Sequence, residues 1–376
     1  MKCLPVTLLI FFSFFSVAVQ SDEALLEESS GCLAPVTGKS TNIRMVSEHV
    51  IIELGATNYT VDASFEFFND GDTVTVLVGF PDFGYGYTNV FRGVRMNDTF
   101  ETWVNGESCV FRNAPGRMKI HVHSVPEREI VLTNPDSLDA AHANLQKGLN
   151  PLGTGSSSVV FVEEMRWLVK DVTFPGGTTS RTRVRYTAVY GNFRHLEYIY
   201  GTGRTWKGSI GRAEFVIRTS PEIWMQAAPQ FARGGGFTNT RNFEKRRIGE
   251  YEHEYILTDV EPFENDVFRI FVNDRSLKII EQPWESYGNF DFAGKPVDED
   301  FLDILSLAQL RLFRNAFYAF HGKVFNSSDL DRYFRNTYWY KPTDDYRESD
   351  LSDIERENVR KIIEKERWLK NLIETN

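Results

Sequence analysis

From residue 59 to residue 67 apolar and polar side chains alternate without a break. Tyr59, Val61, Ala63, Phe65 and Phe67 are interleaved with Thr60, Asp62, Ser64 and Glu66. A period of two belongs to a strand with one buried and one wet face, not to a helix. Val74, Val76, Val78 and Phe80 resume the alternation. Between the two runs, Asn69-Asp70-Gly71-Asp72 tolerates positive φ and predicts a tight hairpin turn. Asn105-Gly106, between strand patterns at 100–104 and 108–111, predicts a second hairpin. Further strand patterns fall at 159–169, 182–190, 213–218, 251–257 and 267–272. Half-wet antiparallel strands of this kind favour sandwiches over a parallel sheet.

Near residue 300 the period becomes helical. Ser306 and Gln309 form a capping box; Leu310, Phe313, Phe317 and Phe320 then share one face, and Gly322 can end the helix in the left-handed conformation. A short helix is predicted over 329–335. Ser352 with Glu355 opens a last helix with an apolar side of Ile354, Ile362, Ile363, Leu369 and Leu372. The charges on its other side alternate in sign, as on a solvated surface. The fold class is therefore mainly β with a C-terminal α module: two antiparallel β-sandwich-like domains, then a small helical domain.

The first residues predict an address. Met1-Lys2, an apolar run from Leu4 to Val19 and the polar Ser21-Asp22-Glu23 follow the pattern of a secretory signal peptide. The expected organisation is a signal peptide at 1–21, a β-sandwich-like domain at 22–135 and a helical and loop connection at 136–157. A second β domain at 158–280, an aromatic connector at 281–300 and the helical domain at 301–376 complete it; the other reading of the β region is one large domain with a helical insertion. No other run is long enough to span a bilayer, so the mature chain is expected to have no transmembrane span. With Cys3 in the leader, Cys32 and Cys109 remain, an even number suited to a disulfide in an oxidising compartment.

Composition narrows the function classes. Of 376 residues 41% are hydrophobic, and 30 are Phe, which excludes global disorder. A net charge of −10 and a pI near 5.4 argue against nucleic acid as a partner. Two isolated cysteines make no zinc framework. His121 and His123 share a strand face with Lys119, which would repel a metal ion, so no metal site is expected. In Glu252-His253-Glu254 the histidine faces away from both acids and is expected to be partly buried. Gly201-Thr202-Gly203-Arg204-Thr205-Trp206-Lys207-Gly208 lacks the Gly-Lys-Ser/Thr of a phosphate loop and predicts a turn with an exposed or edge-packed Trp206. The mix of Phe80-Pro81-Asp82-Phe83-Gly84-Tyr85-Gly86-Tyr87 predicts a loop, either an exposed aromatic surface or the closure of a sandwich end. No nucleophile motif is present, and no cofactor or catalytic residue is assigned. Arg181, Arg183 and Arg185 line one strand face, either as a wet face paired with acids or as a surface meeting anionic polymers.

The most specific pattern is C-terminal. Arg314-Asn315-Ala316-Phe317-Tyr318-Ala319-Phe320-His321-Gly322 is followed by Val324-Phe325, Leu330, Tyr333-Phe334, Trp339-Tyr340-Lys341-Pro342, Leu351-Ser352-Asp353-Ile354-Glu355 and Asn358. Order and spacing resemble the YARHG domain, a small helical module of secreted and envelope-associated bacterial proteins. One position departs from it, Phe320 standing where that family usually has Arg. The β region is similar to uncharacterised secreted bacterial proteins through Asn42–Glu48, Phe68-Asn69, Gly79-Phe80-Pro81 and Tyr200–Gly203 with Trp206-Lys207-Gly208. The resemblances imply a secreted or periplasmic protein of the bacterial envelope and carry no catalytic residue. Two readings of the helical motif stand: a folding signature, or a ligand patch of Arg314, His321, Trp339 and Tyr340. The expected function is a non-enzymatic binding module for cell-wall polymer or an envelope protein. The alternative is a cell-wall hydrolase whose catalytic carboxylates are dispersed in sequence.

Overall fold

A computed structural model describes residues 18–21, 23–29, 32–35, 41–87, 99–114, 117–122, 128–131, 160–190, 194–233, 239–264, 266–274 and 294–375. The first strands are β1 (Ala18–Ser21), β2 (Ala24–Ser29), β3 (Cys32–Pro35), β4 (Ile43–Leu54), β5 (Asn58–Asn69) and β6 (Val74–Tyr87). Next come β7 (Glu101–Val104), β8 (Glu107–Ser108), β9 (Arg112–Ala114), β10 (Arg117–Val122), β11 (Arg128–Val131), β12 (Val160–Phe174) and β13 (Thr179–Val189). The last are β14 (His195–Ile199), β15 (Ile210–Arg218), β16 (Ile223–Met225), β17 (Gln230–Arg233), β18 (Glu244–Arg247), β19 (Glu252–Val260) and β20 (Asp266–Asp274). Four helices follow: α1 (Glu299–Asp303), α2 (Leu307–Phe320), α3 (Ser328–Arg335) and α4 (Asp353–Thr375). The fold is mainly β with several sheets and a C-terminal helical module.

The largest sheet has the order β18-β19-β15-β4-β5-β13-β7-β8. Its central strands carry the alternation that the sequence predicts: Tyr59, Val61, Ala63, Phe65 and Phe67 are buried, the intervening residues half-exposed. A seven-stranded sheet has the order β11-β10-β12-β6-β2-β3, with β9 also on β12. A five-stranded sheet runs β1-β14-β20-β16, with β17 also on β20. Inner faces of all three sheets share one apolar core, from Ile43 and Phe67 to Tyr198, Phe215, Phe231 and Phe268.

In this arrangement strands from either side of residues 136–157 share sheets. Strand β13, from the expected second domain, lies between β5 and β7 of the first, with Tyr186 opposite Val61 and Val184 opposite Thr102. Likewise β15 runs parallel to β4, and β12 pairs with β6 from Phe161–Tyr87 to Phe174–Val74. Alternation determines which side chains face inward; it is silent on which strand lies alongside.

Turns were half legible. Asn105 and Gly106 both have positive φ (51° and 88°) and join the paired β7 and β8, as predicted. The turn after Asn69 makes no hairpin. β5 and β6 belong to different sheets, and the segment between them is a crossing tied by the Asn69 amide, which donates to the Asp72 and Phe174 carbonyls at 2.8 and 2.9 Å. The expected aromatic loop at 80–87 is a correction too: it continues β6, paired with β12 as far as Tyr87. Gly201–Thr205 is a 3-10 turn, and Trp206 is fully buried rather than exposed or at an edge. Its Nε1 donates to the Glu23 carbonyl at 2.9 Å.

The helices form a second core around Leu310, Phe313, Phe317, Phe334, Ile362 and Leu369. Both predicted capping boxes are present. Ser306 and Gln309 exchange bonds of 3.3 and 2.8 Å, Ser352 and Glu355 bonds of 3.3 and 2.7 Å. The module is seated on edge strand β18. Lys245 Nζ bonds Asp303 at 2.6 Å and also Asp300, while Arg247 Nη1 donates to the carbonyls of Asp303 and Leu305 at 2.9 and 2.8 Å. These side-chain bonds hold the module against β18, which remains largely exposed. Phe301 and Ile304 pack into the β core, and Trp224 packs into the helical one.

Gly322 ends α2 with φ of +83°, and a Cβ there would lie 2.8 Å from the Lys341 carbonyl oxygen. Gly322→Ala is expected to cost about 1–3 kcal/mol from the left-handed conformation. Chemical denaturation of the variant checks this; an unchanged midpoint would mean that the turn relaxes without cost.

Candidate functional site

Most of the signature residues of the helical module are tied within it. Arg314 Nε donates to Glu366 Oε1 at 3.2 Å, joining α2 to the antiparallel α4. His321, at the end of α2, has Nε2 2.9 Å from Glu355 Oε1, and that carboxylate also completes the capping box of α4. The buried Tyr340 donates its hydroxyl to the Lys323 carbonyl at 2.7 Å. Trp339 is half-buried, its ring centroid 6.0 Å from those of Phe320 and Phe334. Asn358, fully buried, accepts from Val297 N and donates to the Lys295 carbonyl at 2.9 and 3.0 Å. The structure therefore gives Arg314, His321 and Tyr340 bonds inside the module and does not converge them on one open surface.

The basic strand face is likewise engaged. Arg181 Nε donates to Glu66 at 2.7 Å, and Arg183 Nε donates to Asp62 at 2.7 Å while its guanidinium lies 4.8 Å from the Trp103 ring centroid. Arg185 stands opposite Asp62 on β5 and Glu101 on β7. The Asp62 carboxylate pushes the Arg183 guanidinium up from its ordinary range. Acids stand opposite Arg181 and Arg185, while Arg183, opposite Ser64 and Trp103, reaches Asp62 diagonally.

Cys109 carries a free thiol, with Sγ 3.6 Å from the Thr102 carbonyl oxygen. Cys32 lies in β3, but its side chain falls outside the described residues. The same holds for the side chain of His121 and for all of His123. Residues 1–17 and 22 lie outside as well, while Ala18–Ser21, the end of the expected leader, form β1 parallel to β14.

A glycan hydrolase needs two carboxyls facing one cleft. Of Asp298-Glu299-Asp300, the first caps Asp300 N, the second pairs with Lys361 and the third with Lys245. Glu163 and Glu164 lie in β12 with side chains outside the described residues. On the outer sheet face Glu214 pairs with Arg212 at 2.9 Å and Glu254 with Arg246 at 3.6 Å. Burial, then the neighbouring Glu214, push the Glu254 carboxyl up. His253 is buried and faces the helical module, and desolvation pulls it down to about 3. Among the described residues no group of three His, Cys, Asp or Glu is placed to hold a metal ion.

What the module leaves open is a groove of about 420 Å³ along α4. Its floor is Leu351, Val359, Ile363 and the Tyr318 ring; its rim carries Arg356, Arg360 and Arg367 with Glu348 and Glu364. Val359 and Ile363 are one turn apart, as are Arg356 and Arg360, with Arg367 two turns further on, so α4 sets apolar and cationic groups side by side. Arg356 donates to Asp353 at 2.6 Å and to the Leu351 carbonyl; Arg360 donates to Glu357 at 2.8 Å and to Glu364. Glu348 and Arg367 are exposed and have no ion pair among the described residues. Burial and the nearby Glu348 push the Tyr318 hydroxyl up, and Lys323 Nζ lies 4.3 Å from the Tyr318 ring centroid. An apolar floor with a charged rim holds an extended, partly apolar ligand and fixes its ends. Sequence reasoning missed this site because it read the charges of α4 only as a solvated surface. The spacing of Arg356, Arg360 and Arg367 around Val359 and Ile363 was the available signal.

No helix among the described residues is long and apolar enough to cross a membrane. No curated protein matches the chain in sequence. Among solved structures it is similar to a proposed nutrient-binding protein of Legionella pneumophila. The identity there is 17%, the TM-score 0.42, and the match covers 93% of this chain and 98% of that one. It is also similar to an M1 zinc metallopeptidase of Deinococcus radiodurans. Here the identity is 9%, the TM-score 0.26, and coverage is 62% of this chain and 43% of that one. Residues 294–367 match the YARHG domain, and the helical module seated on β18 is the part of the chain that carries it.

Proposed function

We propose that this is an extracytoplasmic bacterial envelope protein that binds without catalysis, its helical module recognising cell-wall polymer or an envelope partner. The observation that carries this reading is the groove. Arg314, His321, Tyr340 and Asn358 are engaged inside the module, yet the same scaffold holds an apolar channel with a cationic rim open to solvent. The YARHG match supports an extracytoplasmic site of action, since that module belongs to secreted and envelope-associated proteins. The β body, tied to the module through Lys245 and Arg247, serves as a rigid base for it.

Co-sedimentation of the full chain with purified peptidoglycan sacculi tests the reading. The wild type should pellet with the sacculi and release no soluble fragments. Ile363→Glu, which sets a carboxylate in the groove floor, should weaken binding at least about tenfold while the far-ultraviolet spectrum stays the same. Equal pelleting of both proteins would remove the groove from the function. Released fragments would favour hydrolysis, and a wild type that stays in the supernatant would leave an envelope protein as the partner.

A further inference from the structure

The two rim charges without ion pairs have opposite signs and come from different segments, Glu348 from the turn before α4 and Arg367 from α4 itself. Glu348 lies just ahead of Leu351, before α4 begins, next to the rings of Tyr318 and Tyr346. Arg367 lies in the fourth turn of α4, eleven positions beyond Arg356, or about 16 Å along the axis at 1.5 Å per residue. Between them the floor is aliphatic, formed by Leu351, Val359 and Ile363. Arg356 and Arg360 are held by Asp353, Glu357 and Glu364, so they are screened from a ligand in a way that Arg367 is not.

We infer that the groove takes a short aliphatic peptide with a free ammonium group at one end, facing Glu348, and a free carboxylate at the other, facing Arg367. The inference rests on the reading of this groove as the binding site and names the class of ligand. Length agrees with it. An extended chain covers about 3.3–3.6 Å per residue, so four or five residues match the roughly 16 Å of α4 between Arg356 and Arg367. Charge agrees as well. A guanidinium binds a carboxylate through paired N–H donors, and the Glu348 carboxylate can accept from an ammonium group. Small aliphatic side chains suit a floor without a deep side pocket.

The test uses tetra-alanine in four forms: both ends free, N-acetylated, C-amidated and doubly capped. Titration into the full-length protein, followed by the isoleucine methyl resonances, gives each affinity. The free peptide should bind about five- to tenfold more tightly than either singly capped form, and the doubly capped form should bind weakest. In Glu348→Gln the free and N-acetylated peptides should bind alike. In Arg367→Gln the free and amidated peptides should bind alike. Both residues are exposed, so neither change threatens the fold. Four forms binding equally, or none binding, would overturn the inference. Sacculi that pellet the protein while tetra-alanine fails to bind would sink the peptide and leave the envelope-binding reading in place. Peptide binding without pelleting would do the reverse.

Discussion

Lys170→Met should destabilise the protein by about 3–5 kcal/mol, the cost of leaving one member of a buried ion pair without its partner. Lys170 Nζ lies 2.5 Å from Glu23 Oε1, and the two side chains are only 6% and 1% exposed. Two hydroxyls complete the set. Thr182 donates to Glu23 Oε2 at 2.5 Å, and Lys170 donates to Thr102 Oγ1 at 2.6 Å. Those residues come from β7, β12 and β13, so one carboxylate ties the eight-stranded sheet to the seven-stranded sheet. The Glu23 carbonyl also accepts from Trp206. The double variant Glu23→Leu with Lys170→Met should be less destabilised than the sum of the two single changes, because no uncompensated charge then remains. Urea unfolding of the three variants measures this. A single variant within about 1 kcal/mol of the wild type would mean that water reaches the pair.

That cluster also marks a limit of what could be read in advance. Glu23 stands in the polar stretch after the apolar leader run, where its chemistry suggested only the end of a signal peptide. Its partner is 147 positions away, and no local pattern links a lysine in β12 to an acid at residue 23. Asn69 failed in the same way. Its chemistry forms turns, but a crossing between sheets and a hairpin use the same residues. Tyr59 to Phe67 could be assigned to a strand because alternation is local; its neighbour β13 could not, because pairing is a long-range choice. The helical module was more legible, since caps, a C-terminal glycine and an apolar stripe all lie within one or two turns of each other. Even there, the order of Arg314, His321 and Tyr340 identified the module without saying that their polar atoms face inward.

Between about pH 6.5 and 8 the protein should lose stability as pH rises, and Glu48→Gln should abolish most of that loss. Glu48 lies on the inner face of β4, fully buried, with Oε1 accepting from Tyr198 at 2.7 Å and Oε2 without a partner among the described residues. Desolvation pushes its carboxyl from 4.5 up to about 8. Between these values the folded state holds a proton that the unfolded state has released. Stability therefore falls by about 1.4 kcal/mol per pH unit through that window and levels off above it. His253 acts in the opposite sense: burial pulls it from 6.5 down to about 3, so its neutral form costs stability as pH falls through that range. From about pH 4.5 to 6.5 the two slopes oppose one another, and above 6.5 the His253 contribution is gone. Glutamine keeps the shape of the neutral acid and cannot ionise. Carboxyls such as Glu197, raised by burial, and Asp303, held down by Lys245 and Lys365, titrate in both proteins and drop out of the difference. Urea midpoints of wild type and Glu48→Gln from pH 5 to 9 give the result. The curves should converge toward pH 5 and separate steadily to pH 8; parallel curves would show that Glu48 is charged, and hydrated, throughout.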